Sequence, residues 1–160
     1  MIKIKGIKDE DFQNYKKISM YIAFPSCTFK CEQDCPDLVQ CQNRELMHAS
    51  TIEIEPRDIL ARYMKNNLTH AFVFGGLEPF DTFDDMLKLI HQIRSVGIED
   101  DIVIYTGYYP TEIEDKIDHL FGLENIIIKY GRYDPSKKPR YDEILGVYLA
   151  SSNQYAERLH

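Results

Sequence analysis

The chain has 160 residues, 44% hydrophobic and 28% charged, which is enough apolar material for one core and too much for a disordered chain. Its 26 acidic and 19 basic side chains leave a net charge of −7, which argues against nucleic acid or an anionic membrane as partner, since both need basic surface. No apolar run is long enough to span a bilayer, and residues 1–6 lack the apolar stretch of a secretory signal, so the expectation is one cytoplasmic domain over residues 1–160.

In chain order, residues 1–7 alternate weakly and suit an edge strand, and residues 9–17 are polar and read as irregular. Residues 19–24 are apolar and stopped by Pro25, as in a buried strand. Residues 27–43 read as loop, interrupted by Pro36. Residues 51–55 alternate and form either a short strand or the lead into a helix, with Pro56 as first helical residue and helical periodicity over 57–66. Residues 70–74 predict a second central strand, ended by Gly75-Gly76. Asp81 or Thr82 caps the next helix, whose apolar stripe runs from Phe83 through Met86, Leu87, Ile90 and Ile93 to Gly97. Residues 101–105 predict a third strand, 111–120 a helix and 125–129 a fourth strand. Residues 130–141 read as a Pro- and Lys-rich loop, and the tail from Leu145 adds a further strand.

Strands alternating with helices predict an α/β fold with a mostly parallel sheet. Ligands of such sheets bind beyond the carboxyl ends of the strands. Three notable loops fall there: 27–41, 75–79 and 106–107.

All 4 cysteines, Cys27, Cys31, Cys35 and Cys41, lie within the first of these loops. A disulfide framework spreads its cysteines to close long loops, whereas thiols this dense are the donor set of a metal or an iron–sulfur cluster. Zinc is poorly matched, because the sequence has no C-x2-C pair and no histidine at ligand spacing. His48, His70, His91, His119 and His160 are assigned no role. The second loop, Gly75-Gly76-Leu77-Glu78-Pro79, is neither a phosphate loop nor a dinucleotide fingerprint. Its glycines permit close approach of a ligand, and Glu78 favours a cationic one.

Together, Pro25-Ser26-Cys27-Thr28-Phe29-Lys30-Cys31, Cys41-Gln42-Asn43 and Gly75-Gly76-Leu77-Glu78-Pro79 resemble the motifs of radical S-adenosylmethionine (SAM) enzymes. They are most similar to those of the activating enzymes of anaerobic ribonucleotide reductase. Tyr105-Thr106-Gly107, Gly131-Arg132-Tyr133 and Ser151-Ser152-Asn153-Gln154 are similar to that family's later segments. The resemblance implies an open, partial parallel βα barrel of about four to six strands, fewer than the eight of a closed barrel.

It also implies a 4Fe-4S cluster held by three cysteines, with one iron left for SAM. Cys27 and Cys31 meet the family's first interval. The usual C-x2-C second interval is replaced, and the third ligand is Cys41, which the following Gln42-Asn43 favours, or alternatively Cys35. Gly75, Gly76 and Glu78 then hold the amino group of SAM, Pro79 shapes the turn, and Phe29, Asn43 and Thr106 complete the cofactor-binding set. The implied activity is reductive cleavage of SAM to place a glycyl radical on a partner, the anaerobic reductase, with electrons from a flavodoxin-type donor. A radical SAM enzyme acting on a peptide or small molecule, and a zinc-binding interaction module without catalysis, are the alternatives.

Overall fold

The computed structural model describes residues 1–26 and 44–159. The expected cysteine loop, with Cys27, Phe29, Cys31, Cys35, Cys41 and Asn43, lies outside the described residues.

Ten strands are described: β1 Ile2–Ile4, β2 Gly6–Asp11, β3 Ser19–Phe24, β4 Ile52–Ile54, β5 Ala71–Gly76, β6 Asp101–Tyr105, β7 Ile126–Tyr130, β8 Arg140–Asp142, β9 Val147–Leu149 and β10 Tyr155–Arg158. The α-helices are α1 Pro56–Met64, α2 Phe83–Ser95 and α3 Glu114–Asp118. Six strands form one sheet in the order β10-β7-β6-β5-β3-β2. Its four central strands run parallel, and the two edge strands pair antiparallel to them.

The central strands are apolar on both faces because both are covered. Met20, Ile22 and Phe24 share one face with Phe72, Phe74, Ile102, Ile104, Ile126 and Ile128. Against this face pack Ile59, Leu60 and Tyr63 of α1, Met86, Leu89, Ile90 and Ile93 of α2, and Ile117 of α3. The other face carries Ala71, Val73, Val103 and Ile127. It is covered by Tyr15 and by Leu145 and Leu149 around the β8–β9 hairpin. All three helices therefore sit on one side, and the neighbours β3, β5, β6 and β7 follow one another without a reversal of order.

Several elements differ from the expectation. The predicted edge strand over 1–7 is two strands. Ile2 and Ile4 of β1 pair with β4 in a separate ribbon that buries them in the helix-side core, while β2 makes the sheet edge and runs on to Asp11. The polar stretch from residue 9 thus begins as strand, because an edge strand keeps one side in solvent and tolerates charge. The helix expected over 111–120 is broken into a 3-10 turn, Pro110–Glu112, and the short α3. The loop expected over 130–141 ends in β8, which forms a hairpin with β9. Thr82 precedes α2 but makes no side-chain cap; the capping side chain is Glu78, which accepts from the Phe80 N–H at the start of a 3-10 turn.

Candidate functional site

The carboxyl ends of β5, β6 and β7 open onto a cavity of about 620 Å³ on the sheet face away from the helices. That volume lies in the ordinary range for a small-molecule site. Tyr21, Gly75, Glu78, Tyr105, Thr106 and Lys129 are part of its wall.

The two glycines are there for want of room. A Cβ on Gly75 would lie 2.6 Å from the Tyr21 hydroxyl. Gly76 has φ +81°, and a Cβ there would lie 2.7 Å from Ala23 Cα. The Gly76 N–H donates to the Tyr21 hydroxyl at 2.5 Å. Only a residue without a side chain lets β5 end this close to β3.

Beyond the glycines the loop stays pinned to the end of β3. The Leu77 N–H donates to the Phe24 carbonyl at 3.2 Å, and the Glu78 N–H to the Ser26 carbonyl at 2.6 Å. Ser26 immediately precedes Cys27, so backbone hydrogen bonds join the glycine loop to the start of the cysteine segment.

Glu78 is 4% exposed, and its carboxylate joins two strand-end loops. One oxygen accepts from the Phe80 N–H at 3.1 Å and the other from the Gly107 N–H at 2.8 Å. Burial pushes the carboxyl up to about 7, against hydrogen bonds from Gly107, Phe80 and the Thr106 side chain that favour the ionised form. A carboxylate offers about four lone-pair directions. Glu78 thus braces the protein with most of its capacity.

Thr106 is 1% exposed. Its N–H donates to the Lys129 carbonyl at 2.9 Å, and its hydroxyl accepts from the Tyr108 N–H at 3.0 Å. Pro79 is buried and opens the 3-10 turn that follows Glu78.

The later segments lock onto the same rim. Arg132 makes a two-pronged pair with Glu112, at 2.6 and 2.8 Å, and donates to the Gly107 carbonyl. The Asn153 amide donates to the Tyr109 hydroxyl at 2.8 Å and to the Arg132 carbonyl at 2.6 Å. Gln154 accepts from the Ser151 N–H and donates to the Gly131 carbonyl. Short motifs scattered over 105–107, 131–133 and 151–154 therefore meet as one braced edge.

The structure brings Gly75, Gly76, Glu78, Pro79 and Thr106 together. The cysteines, Phe29 and Asn43 fall outside the described residues, and among the described residues no cluster of His, Cys, Asp or Glu could hold a metal. The chain's thiol set is the four cysteines of 27–41. Thiolate density of that kind fits an iron–sulfur cluster. The cavity volume fits a small ligand, while the space above Gly75 and Gly76 is taken by Tyr21 and Ala23.

Two site residues were missed in the sequence. Tyr21, inside an apolar strand, reads as core, yet its hydroxyl meets Gly76. Lys129 is 6% exposed, with its ammonium 5.4 Å from the centre of the Tyr105 ring and 3.2 Å from the Gly131 carbonyl. A lysine closing the run Ile126-Ile127-Ile128 was the available signal, because a buried lysine is rare unless something answers its charge.

No helix among the described residues is long and apolar enough to cross a membrane. One curated relative, the SAGA complex/NuA4 acetyltransferase complex subunit TRA1 of Saccharomyces cerevisiae, is 27% identical over 174 residues, covering 92% of this chain. The chain spans only 4% of that protein's length. A family model described as a 4Fe-4S single cluster domain matches residues 17–155, from before β3 to the start of β10. That match takes in the cysteine segment, the glycine loop and the braced rim at once, and a 4Fe-4S cluster is the cofactor it supports: the chain belongs to the family of 4Fe-4S single cluster domains.

Proposed function

We propose that the chain is a radical SAM activase that places a glycyl radical on a partner enzyme, the anaerobic ribonucleotide reductase, within a partial βα barrel. The observation that carries this is the pairing of Leu77 and Glu78 with Phe24 and Ser26. It ties the glycine loop, which lines the cavity, to the residue just before the cysteine segment, which supports a shared site for cluster and SAM.

Cys27 and Cys31 would hold the cluster with Cys41, or with Cys35 in its place. When bound, the cluster and SAM would supply one-electron reductive chemistry, with a flavodoxin-type donor as electron source, for hydrogen abstraction from a glycine Cα of the partner. The chain's own residues orient and shield. Gly75 and Gly76 would let β5 end close against β3 and so seat the loop that carries Glu78. A remaining lone pair of Glu78 would accept from a cation such as the amino group of SAM, and Thr106 holds Glu78 in place. Tyr21 and Tyr105 would form part of the wall beside the bound ligand.

The test is anaerobic reconstitution with iron and sulfide, followed by reduction in the presence of SAM. The expected result is about four irons per chain with release of methionine and deoxyadenosine. Alanine at Cys27, Cys31 or Cys41 should abolish the cluster, and alanine at Cys35 should spare it. Stoichiometric zinc without iron, or a cluster that never cleaves SAM, would overturn the reading.

A further inference from the structure

Next to the cavity, the β8–β9 hairpin presents a surface that the fold does not use. Leu145 and Leu149 fasten it to the sheet face, and Asp142 is buried, accepting from the N–H groups of Leu145 and Ala156 at 2.9 and 3.0 Å. The base of the hairpin is therefore rigid. Its outer side carries Tyr148, 74% exposed, and Tyr141, 50% exposed, edge to face at 5.2 Å. Neither ring is needed for the core, and two adjacent exposed tyrosines are the kind of side chain that anchors protein interfaces.

The approach to this pair is basic. Lys137, Lys138 and Arg140 are all exposed, three cations within four residues on a chain of net charge −7. Of the neighbouring acids, Asp142 is buried against backbone, and Asp134 accepts from the N–H and hydroxyl of Ser136. Glu143 is the exposed acid on the turn side. Pro139, Tyr148 and Leu149 of the same hairpin are also wall residues of the cavity, so the tyrosine and lysine surface adjoins the cavity wall.

We infer that the β8–β9 hairpin is the docking platform for an acidic polypeptide segment of the protein that delivers its glycine to the cavity, packed on Tyr141 and Tyr148 with its carboxylates on Lys137, Lys138 and Arg140. The inference rests on the activase reading. It adds where the partner binds and what chemistry it presents. A nucleic-acid strand would also like tyrosines and lysines, but three cations are a small patch for a strand charged at every phosphate, whereas they match a peptide that carries a few carboxylates.

The test uses the full reconstituted chain and the anaerobic ribonucleotide reductase of the same organism as probe. Two variants are compared with the wild type, Tyr141→Ser and the double change Lys137→Glu with Lys138→Glu; none of these residues lines the cavity. Three readouts are taken: deoxyadenosine released without the reductase, glycyl radical by electron paramagnetic resonance, and the half-saturating reductase concentration. Both variants should release deoxyadenosine like the wild type. Each should raise the half-saturating reductase concentration by about tenfold, and the wild-type value should itself rise with salt.

Unchanged radical yield and half-saturation in both variants would overturn the docking platform while leaving the activase reading intact. Wild-type binding of a labelled single-stranded oligonucleotide that the charge reversal abolishes would overturn it in favour of nucleic acid. A wild-type chain that releases no deoxyadenosine would remove the activase reading and the inference together.

Discussion

Glu78 shows how one side chain serves both the fold and the site. In the unfolded chain its carboxyl titrates near 4.5, and in the fold burial raises it to about 7. Between those two values the folded chain holds more protons than the unfolded chain, so stability falls as pH rises through this window and levels off above it. The shift corresponds to an effect on the order of 3 kcal/mol. Urea unfolding of wild type and Glu78→Gln between about pH 4.5 and 8 should show this component in the wild type and not in the variant. Equal slopes would mean that Glu78 keeps its ordinary acidity. The variant should also be destabilised at low pH, because one of the Phe80 and Gly107 N–H groups then faces an amide NH2 in place of an acceptor. The glycines beside it are legible from sequence as ligand-approach residues, but their immediate reason is Tyr21 and Ala23 on the neighbouring strand.

At the scale of elements, the central strands were the most readable part, because burial on both faces makes them continuous apolar runs. The ends of the sheet were less so. Besides the pairing of β10 with β7, an ion and hydrogen-bond cluster at the amino end of β6 ties β10 to the segment before β3. Asp101 accepts from the Tyr15 hydroxyl at 2.7 Å, from Lys17 at 3.0 Å and from Arg158 at 3.1 Å. Burial alone would raise the Asp101 carboxyl, but these three partners outweigh it and hold it at about 2, below the ordinary 3.8. Its contribution is therefore present above pH 3.8 and is lost as pH falls toward 2. Asp101→Ala should lower stability at neutral pH by about 3 kcal/mol, since it leaves the Tyr15 hydroxyl buried without this acceptor. Hydrogen exchange should rise first in β10 and in residues 12–18. Loss spread evenly over the sheet would show that the cluster is not a local tie. No sequence pattern announces this cluster, as its members lie up to 86 positions apart.

At the scale of the whole molecule, one chain of a 4Fe-4S single cluster family carries both a sheet with cores on its two faces and a segment that holds all four of its cysteines. The described residues by themselves form a packed core on each face of the sheet. Stripping iron from the reconstituted chain with a chelator should therefore abolish its visible absorbance and leave a cooperative thermal transition, unlike small zinc domains that unfold without metal. Loss of the cooperative transition together with the iron would show that the cluster is part of the fold's stability.

The division between sequence and tertiary structure follows from the range of the forces involved. The iron–sulfur character that the family match supports was readable from the chain alone, because closely spaced cysteines are a local motif whose residue type carries its own reactivity. Apolar periodicity was enough to place β3, β5, β6 and β7, since burial leaves its mark on every residue of a central strand. Tertiary structure alone decided that Gly76 meets Tyr21, that Glu78 caps the Gly107 loop, and that motifs at 105–107, 131–133 and 151–154 close into one rim. Those are hydrogen bonds between residues far apart in the chain. They are set by strand order and register, and nothing in the local sequence encodes which distant partner a polar group will find.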